Sequence, residues 1–162
     1  MGSKPPQLLN AHVKTSLKVT VQELPKDHPA YHKHSKHGLF ATDNIAKGEI
    51  LGEYTGILCD NETKSRTSRF LIKHSYNVYV DANVGGNEMM YINDYRNIAT
   101  GPNAKFYNDS RYYYRSNKTN EIIRGRIMIA TLRDIKQGEE IVVDYGEGYC
   151  KRWGIIEQKL NN

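Results

Sequence analysis

The sequence predicts a mostly β protein, several small sheets folded on one another with few short helices. Three observations point there. Short apolar runs recur along the chain, at Leu39-Phe40-Ala41, Ile50 to Tyr54, Phe70-Leu71-Ile72, Tyr76 to Ala82, Ala104 to Tyr107, Ile127 to Leu132 and Ile141 to Val143. Turn formers separate them, among them Lys47-Gly48-Glu49, Gly85-Gly86, Asn108-Asp109 and Gly138. One late stretch, Cys150 to Leu160, is the best helix candidate.

Taken in order, a polar segment with Pro5-Pro6 reads as a loose arm. Val13 to Leu24 then places Val13, Leu17, Val19 and Val21 between Lys and Thr, a half-exposed strand ended by Leu24-Pro25. Lys26 to His37 is a charged loop, and Leu39 opens the next strand. Ile50 to Tyr54 follows the Gly48 turn, whereas Cys59 to Arg69 is polar and without period, a loop or short helix. Phe70 to Ile72 and Tyr76 to Ala82 read as strands, and Asn87 to Asn93 as a short helical turn. Asn108-Asp109 splits Ala104 to Tyr107 from Arg111 to Arg115, and Gly125 splits Ile122-Ile123 from Ile127 to Leu132.

The 162 residues, 38% hydrophobic and 25% charged, suit one globular domain that needs neither disulfide nor metal. Twelve tyrosines against three phenylalanines imply many half-buried rings with a polar tip. A charge of +5 and pI near 9.1 favour polyanionic surroundings, so a weak nucleic-acid or nucleosome contact is one expectation. The run Arg111-Tyr112-Tyr113-Tyr114-Arg115 could stack bases, or be a strand with solvated arginines. Cys59 and Cys150 form no Cys-x-x-Cys pair, which suits a reducing compartment. No apolar run has transmembrane length and no signal-peptide pattern is present, so a soluble intracellular protein with no membrane association is expected. His28, His32, His34 and His37 lack a thiolate or a matched distant pair, so no metal site is expected.

An internal echo links two segments. Ile45-Ala46-Lys47-Gly48-Glu49 and Ile135-Lys136-Gln137-Gly138-Glu139 each precede a strand ending in acid-tyrosine, at Glu53-Tyr54 and Asp144-Tyr145. Either these are two similar turns, or two analogous strands deliver Tyr54 and Tyr145 to one pocket.

Five motifs in this order resemble the SET-domain protein lysine methyltransferases, over nearly all of residues 16 to 150. His37-Gly38-Leu39-Phe40-Ala41 with Lys47-Gly48-Glu49 resembles the opening Gly-x-Gly motif, and Glu53-Tyr54-Thr55-Gly56 the Glu-Tyr-x-Gly strand. Val80-Asp81-Ala82 with Asn87 resembles the Val-Asp-Ala segment. Ile92-Asn93 with Pro102-Asn103 resembles the Asn-His-Ser-Cys-x-Pro-Asn motif, and Arg133 to Gly146 the closing motif. The resemblance implies a domain over 16–149 with a threaded, pseudoknot-like C-terminal motif. A flexible arm, 1–15, would precede it, and a short tail, 150–162, would close the active site without cysteine-rich zinc modules.

It also implies S-adenosylmethionine as cofactor and a lysine-containing protein or peptide as substrate, first of all a histone tail. A nuclear, chromatin-associated location follows if the source is eukaryotic. Lys36, His37, Gly38 and Leu39 would hold the cofactor's methionine end with main-chain groups. Asn93 would accept from its ammonium, Asp94 would meet the adenine with main chain, and Trp153 would cover the ring. Tyr145 and then Tyr54 are the expected catalytic tyrosines, Tyr145 lying against the cofactor as well. Tyr79, Val143 and Tyr54 would line the lysine channel.

The chemistry suits tyrosine. A free lysine has pKa ~10.4, so presenting its neutral amine at pH 7.4 costs about 4 kcal/mol unless the site shifts that equilibrium. A dry channel beside a sulfonium does so, since burial and a like charge both disfavour the ammonium. A phenol packs on the lysine methylenes and orients the amine without a negative charge. Val143, where relatives carry Phe or Tyr, leaves room for more than one methyl group.

Two departures stand out. Lys36 replaces the first glycine of the opening motif, and Asp94 to Gly101 replaces the His-Ser-Cys portion with a longer segment. They make an inactive SET-fold binding module the rival expectation, and a non-histone lysine the alternative substrate. Asp60, Glu62, Glu147 and Glu157 are candidate acids for a basic peptide.

Overall fold

A computed structural model describes residues 12–155. The described residues are mostly β, as the sequence predicts. The strands are β1 (Val19–Glu23), β2 (His37–Ala41), β3 (Ile50–Glu53), β4 (Ile57–Cys59), β5 (Leu71–Ser75), β6 (Val78–Asp81), β7 (Asn93–Asp94), β8 (Ala104–Arg115), β9 (Ile122–Thr131) and β10 (Glu140–Val143). A 3-10 turn covers Glu88–Tyr91, the short helical turn expected there, and one α-helix, α1, covers Glu147–Trp153. The sheets run β1-β2-β10-β7, β3-β9-β8 and β4-β6-β5. The chain divides into two compact units.

One unit takes Gly52–Met90 and Tyr107–Ile129, with residues 12–15. Its antiparallel sheet pairs Ile57 with Asp81 and Leu71 with Asp81 on either side of β6. Gly56 makes the first pairing reachable, since a Cβ there would lie 2.3 Å from the Asp81 carbonyl oxygen. The expected strand from Tyr76 begins only at Val78. Tyr76 is 91% exposed in a turn, because Asn77 takes the left-handed conformation (φ 54°) that reverses the chain.

β8 and β9 are each continuous where the sequence suggests breaks. The Asp109 carboxylate is satisfied within its own strand by the Arg111 N–H and guanidinium, at 2.6 to 3.2 Å. Gly125 (φ 98°) leaves room for Asn108, whose Oδ1 would lie 1.8 Å from a Cβ. Turn-forming residues stay in a strand when their side chains are satisfied or accommodated there. In this unit's core lie Tyr54, Val80, Met89, Tyr114 and Ile127 to Ile129, with a buried ion pair, Arg126 Nη1 to Glu53 Oε1, at 2.9 Å.

The other unit takes Ser16–Leu51, Tyr91–Phe106 and the residues from Ala130 on. β1 pairs antiparallel with β2, and β10, last of the strands, lies between β2 and β7, pairing parallel with β7. Leu39, Ile92, Ile141, Val142 and Val143 are fully buried or nearly so. The first expected strand is confined to Val19–Glu23. Residues 12–15 of the expected arm are hydrogen-bonded, Val13 N–H and His12 Nδ1 to Glu53 Oε2 and Thr15 Oγ1 to Glu88. Residues 1–11 lie outside the described range.

The sequence echo is a structural one. Ile45 and Ile135 bridge with two 2.8 Å main-chain bonds, Gly48 and Gly138 have φ 81° and 87°, and Glu49 and Glu139 each cap their own turn through Ala46 N–H and Lys136 N–H. Asn103 ties the unit further: its amide accepts from Val142 N–H and donates to the Glu140 carbonyl, at 2.8 and 2.9 Å. The helix starts earlier than expected, at Glu147, and stops at Gly154, whose left-handed backbone (φ 69°) caps it. The rest of the expected helix lies outside the described residues.

Candidate active site

The β2, β7 and β10 strands bring one group of expected site residues together. Asn93 on β7 is 7% exposed and donates from Nδ2 to the His37 carbonyl (3.1 Å) and to Glu140 Oε1 (2.9 Å). Parallel pairing with Val142 and Val143 fixes the height of Asn93 and Asp94 against β10. His37 lies with its ring 5.2 Å from that of Tyr91. Lys36 is exposed, its carbonyl accepting from Leu24 N–H at 2.8 Å. Neither Lys36 nor Gly38 has a positive φ. Lys36 therefore sits in ordinary backbone, and Gly38 is needed for space: a Cβ there would lie 2.7 Å from Glu140 Oε1.

The Asp94 side chain is engaged within the fold. Its carboxylate accepts from Tyr145 N–H (2.8 Å), Arg96 N–H (3.0 Å) and Arg96 Nη1 (2.7 Å). The same guanidinium nitrogen reaches Asp144 Oδ1 (3.0 Å) and Cys150 Sγ (3.3 Å). Hydrogen bonding to Asp94 raises the Arg96 pKa further, and the Gly146 N–H, followed by Arg96, lowers that of Asp144. The Arg96 loop closes on itself through Ile98 and Ala99 N–H to the Tyr95 carbonyl. The segment longer than the family pattern thus supplies a cation that joins β7, the end of β10 and α1.

Tyr145 is half-buried, with its main chain on Asp94 and its hydroxyl donating to the Ile92 carbonyl. Its ring meets Tyr149 at 4.7 Å edge-on, and Tyr149 meets Trp153 at 6.3 Å. Trp153 therefore continues an aromatic row that starts at the expected catalytic tyrosine, with Arg152 5.3 Å from its ring. Val143 is 0% exposed on β10.

In the other unit, Tyr54 is buried and donates to the Phe70 carbonyl at 2.8 Å. Tyr79 is half-buried, its hydroxyl donating to Asn61 Oδ1 (2.9 Å), with Lys64 Nζ 4.1 Å from its ring centre. Arg111 spends its fork on Asp109, and Arg111 and Arg115 each lie near a tyrosine, Tyr112 at 5.8 Å and Tyr113 at 5.9 Å. Asp60 is bound by Thr63 and Glu147 by Lys151; Glu157 is outside the described residues.

Residues 36–146 match the family model for the SET domain. The chain belongs to the SET-domain family. It is 27% identical over 128 residues to the histone-lysine N-methyltransferase EZH2 of Chaetomium thermophilum, covering 70% of this chain and 8% of that protein. Among solved structures it is similar to a humanized mutant of Chaetomium thermophilum Polycomb Repressive Complex 2 bound to the inhibitor GSK126 (TM-score 0.57, 28% identity, 82% of this chain, 16% of that one). It is also similar to the complex in an autoinhibited conformation bound to S-adenosylmethionine (TM-score 0.54, 26% identity, 85% and 16%). The chain thus spans a small part of these relatives' length.

The geometry brings forward three residues that the sequence did not single out, Arg96, Glu140 and Tyr149, and gives His28, weighed above only as a metal ligand, a carboxylate partner instead. Tyr149 was legible as the midpoint of a four-residue spacing from Tyr145 to Trp153, and Glu140 as an acid opening an apolar strand. The carboxylate that holds His28 lies 112 positions away, and Arg96 joins Asp94, two residues back, to Asp144, 48 positions on. Among the described residues no cluster of His, Cys, Asp and Glu could hold a metal ion, and no helix is long and apolar enough to cross a membrane.

Proposed function

We propose that this SET domain is an S-adenosylmethionine-dependent protein lysine N-methyltransferase, that its substrate is a lysine in a histone tail, and that it works on chromatin in a nucleus. The observation that carries the reading is the locked set of Asn93, Asp94 and Tyr145: a buried amide, a buried carboxylate and a phenol with both its main chain and its hydroxyl held. Lys36 to Leu39, Asn93 and Asp94 would hold the cofactor, with Tyr145 and Trp153 along it; bound there, it supplies the methyl group on a sulfonium.

The chain's part is to orient and desolvate. The Tyr145 hydroxyl gives its proton to the Ile92 carbonyl, so toward a lysine amine its oxygen acts as an acceptor, aligning the N–H and turning the lone pair to the methyl. Tyr54 and Tyr79 are proposed as channel walls, and Val143 as the small residue that admits a second or third methyl group. Lys36 in ordinary backbone favours activity over an inactive binding module, because the lost glycine costs no strain.

Calorimetry with S-adenosylmethionine followed by radiolabelled methyl transfer to histones tests the proposal. The expected outcome is binding, label on a histone lysine, and peptides carrying more than one methyl group by mass spectrometry. Absence of binding at millimolar cofactor refutes the enzyme. Binding without transfer to any peptide favours the binding module, and label confined to other proteins favours a non-histone substrate.

A further inference from the structure

Asn93 has two amide protons, and both are used, one on the His37 carbonyl and one on Glu140 Oε1. Both partners are acceptors only, so the reversed amide would set its oxygen against two oxygens. The amide has one orientation, and its Oδ1 is turned to the opposite side as an acceptor. Glu140 is itself held. Its Oε2 lies 2.7 Å from His28 Nε2, and His28 Nδ1 accepts from Ala30 N–H at 3.1 Å, which puts the ring proton on Nε2 facing the carboxylate. Gly38 completes the arrangement by leaving the carboxylate its space, since a Cβ would come within 2.7 Å of Oε1.

We propose that Glu140, held by His28, is a positioning residue that sets the Asn93 amide so that its Oδ1 receives an ammonium of the cofactor. This rests on the methyltransferase reading above and deepens it. Glu140 touches no reacting atom; it acts through Asn93. Ala30 N–H, His28, Glu140, Asn93 and the His37 carbonyl form one relay in which every proton has a direction. Such a relay selects ligands carrying a cationic N–H donor over those that lack it, because the oriented oxygen is left unsatisfied by the latter.

The test measures the affinity of the full chain for S-adenosylhomocysteine and for its analogue lacking the α-amino group. Wild type is expected to prefer the amino-bearing ligand. Glu140→Ala should weaken that ligand at least about tenfold while leaving the deaminated one within about twofold. Glu140→Gln, whose side-chain oxygen still accepts from Asn93 but whose amide protons then face His28 Nε2–H, should recover part of the loss. Equal losses for both ligands would overturn the inference and leave the enzyme reading standing, whereas wild type binding neither ligand overturns that reading too. Should Glu140→Ala fail to fold, hydrogen exchange on wild type decides. The Asn93 side-chain protons should exchange at least about tenfold more slowly than those of exposed Asn83, and equal rates would overturn the proposal.

Discussion

Two glutamates, each in a different compact unit, show how one side chain serves two ends. Glu53 is 0% exposed, and its carboxylate is held by Arg126 at 2.9 Å, His12 at 3.1 Å, Val13 N–H at 3.2 Å and Tyr114 Oη at 3.5 Å. Arg126 in turn donates to the Tyr113 carbonyl and lies 4.4 Å from the Tyr114 ring centre. Burial, with the charge of Glu53 next, raises the Tyr114 phenol pKa, so that group stays protonated beside the carboxylate. Glu140 has a histidine and an amide instead, and the amide passes its orientation outward. A carboxylate matched by a full cation closes a network on itself. One matched by neutral donors can set the direction of another group.

The largest effect should follow from breaking the closed network. Arg126→Met leaves Glu53 buried without its cation and should cost about 3–5 kcal/mol of stability in urea unfolding. Adding Glu53→Leu should return much of that loss. If the single variant unfolds at the wild-type midpoint, Glu53 does not depend on its cation.

Tyr145→Phe, on the open side, should cost about 0.5–1.5 kcal/mol in unfolding for the lost bond to the Ile92 carbonyl, and lower methyl transfer by about 10²-fold with cofactor affinity kept, since the alignment of the amine is lost. Full transfer would move the catalytic role elsewhere, with Tyr54 the next candidate.

How much of this was legible in the sequence follows from range. The echoing turns could be read directly, because Gly48 and Gly138 are set by local φ and each turn is capped by its own glutamate. Tyr145, Asn93 and Gly38 were legible as positions in motifs. The continuity of β8 was not, since Asn108 and Asp109 are turn formers until Gly125 and Arg111 accommodate them. Nor was the division of labour around Gly38, which reads as room for a ligand and in the fold admits the Glu140 carboxylate. Arg96 looked like part of an insertion, and only the parallel pairing of β7 with β10 brings Asp94 and Asp144 to it.

Arg96→Ala is the next test in size. It removes charge-assisted bonds to Asp94 and Asp144, each worth about 1.5–3 kcal/mol, of which partial exposure of Asp144 discounts the second. Because Asp94 holds the Tyr145 N–H, the loss should appear in kcat more than in KM. Gly38→Ala should be milder, about 1–3 kcal/mol of crowding, with cofactor affinity falling as Glu140 is pushed off Asn93.

The smallest effect, and the one that separates a clamp from a bystander, is on the Cys150 thiol. Burial above all, then the negative charge of Asp94, pushes its pKa up to about 11, while Arg96 pulls it down. At pH 8 only about one thiol in a thousand is then ionised, against roughly a quarter for a free cysteine, so alkylation of the Cys150 peptide should be slow. Removing Arg96 has opposite consequences in the two cases. If α1 stays docked, the thiol loses its nearby cation, its pKa rises and labelling slows further. If the guanidinium is what holds α1 to Asp94 and Asp144, the helix loosens, Cys150 meets water and labelling speeds up. Faster labelling in Arg96→Ala, followed by mass spectrometry at pH 8, is the expected result, since the same nitrogen lies 3.3 Å from Sγ and within 3.0 Å of both carboxylates; slower labelling would reduce Arg96 to a local charge.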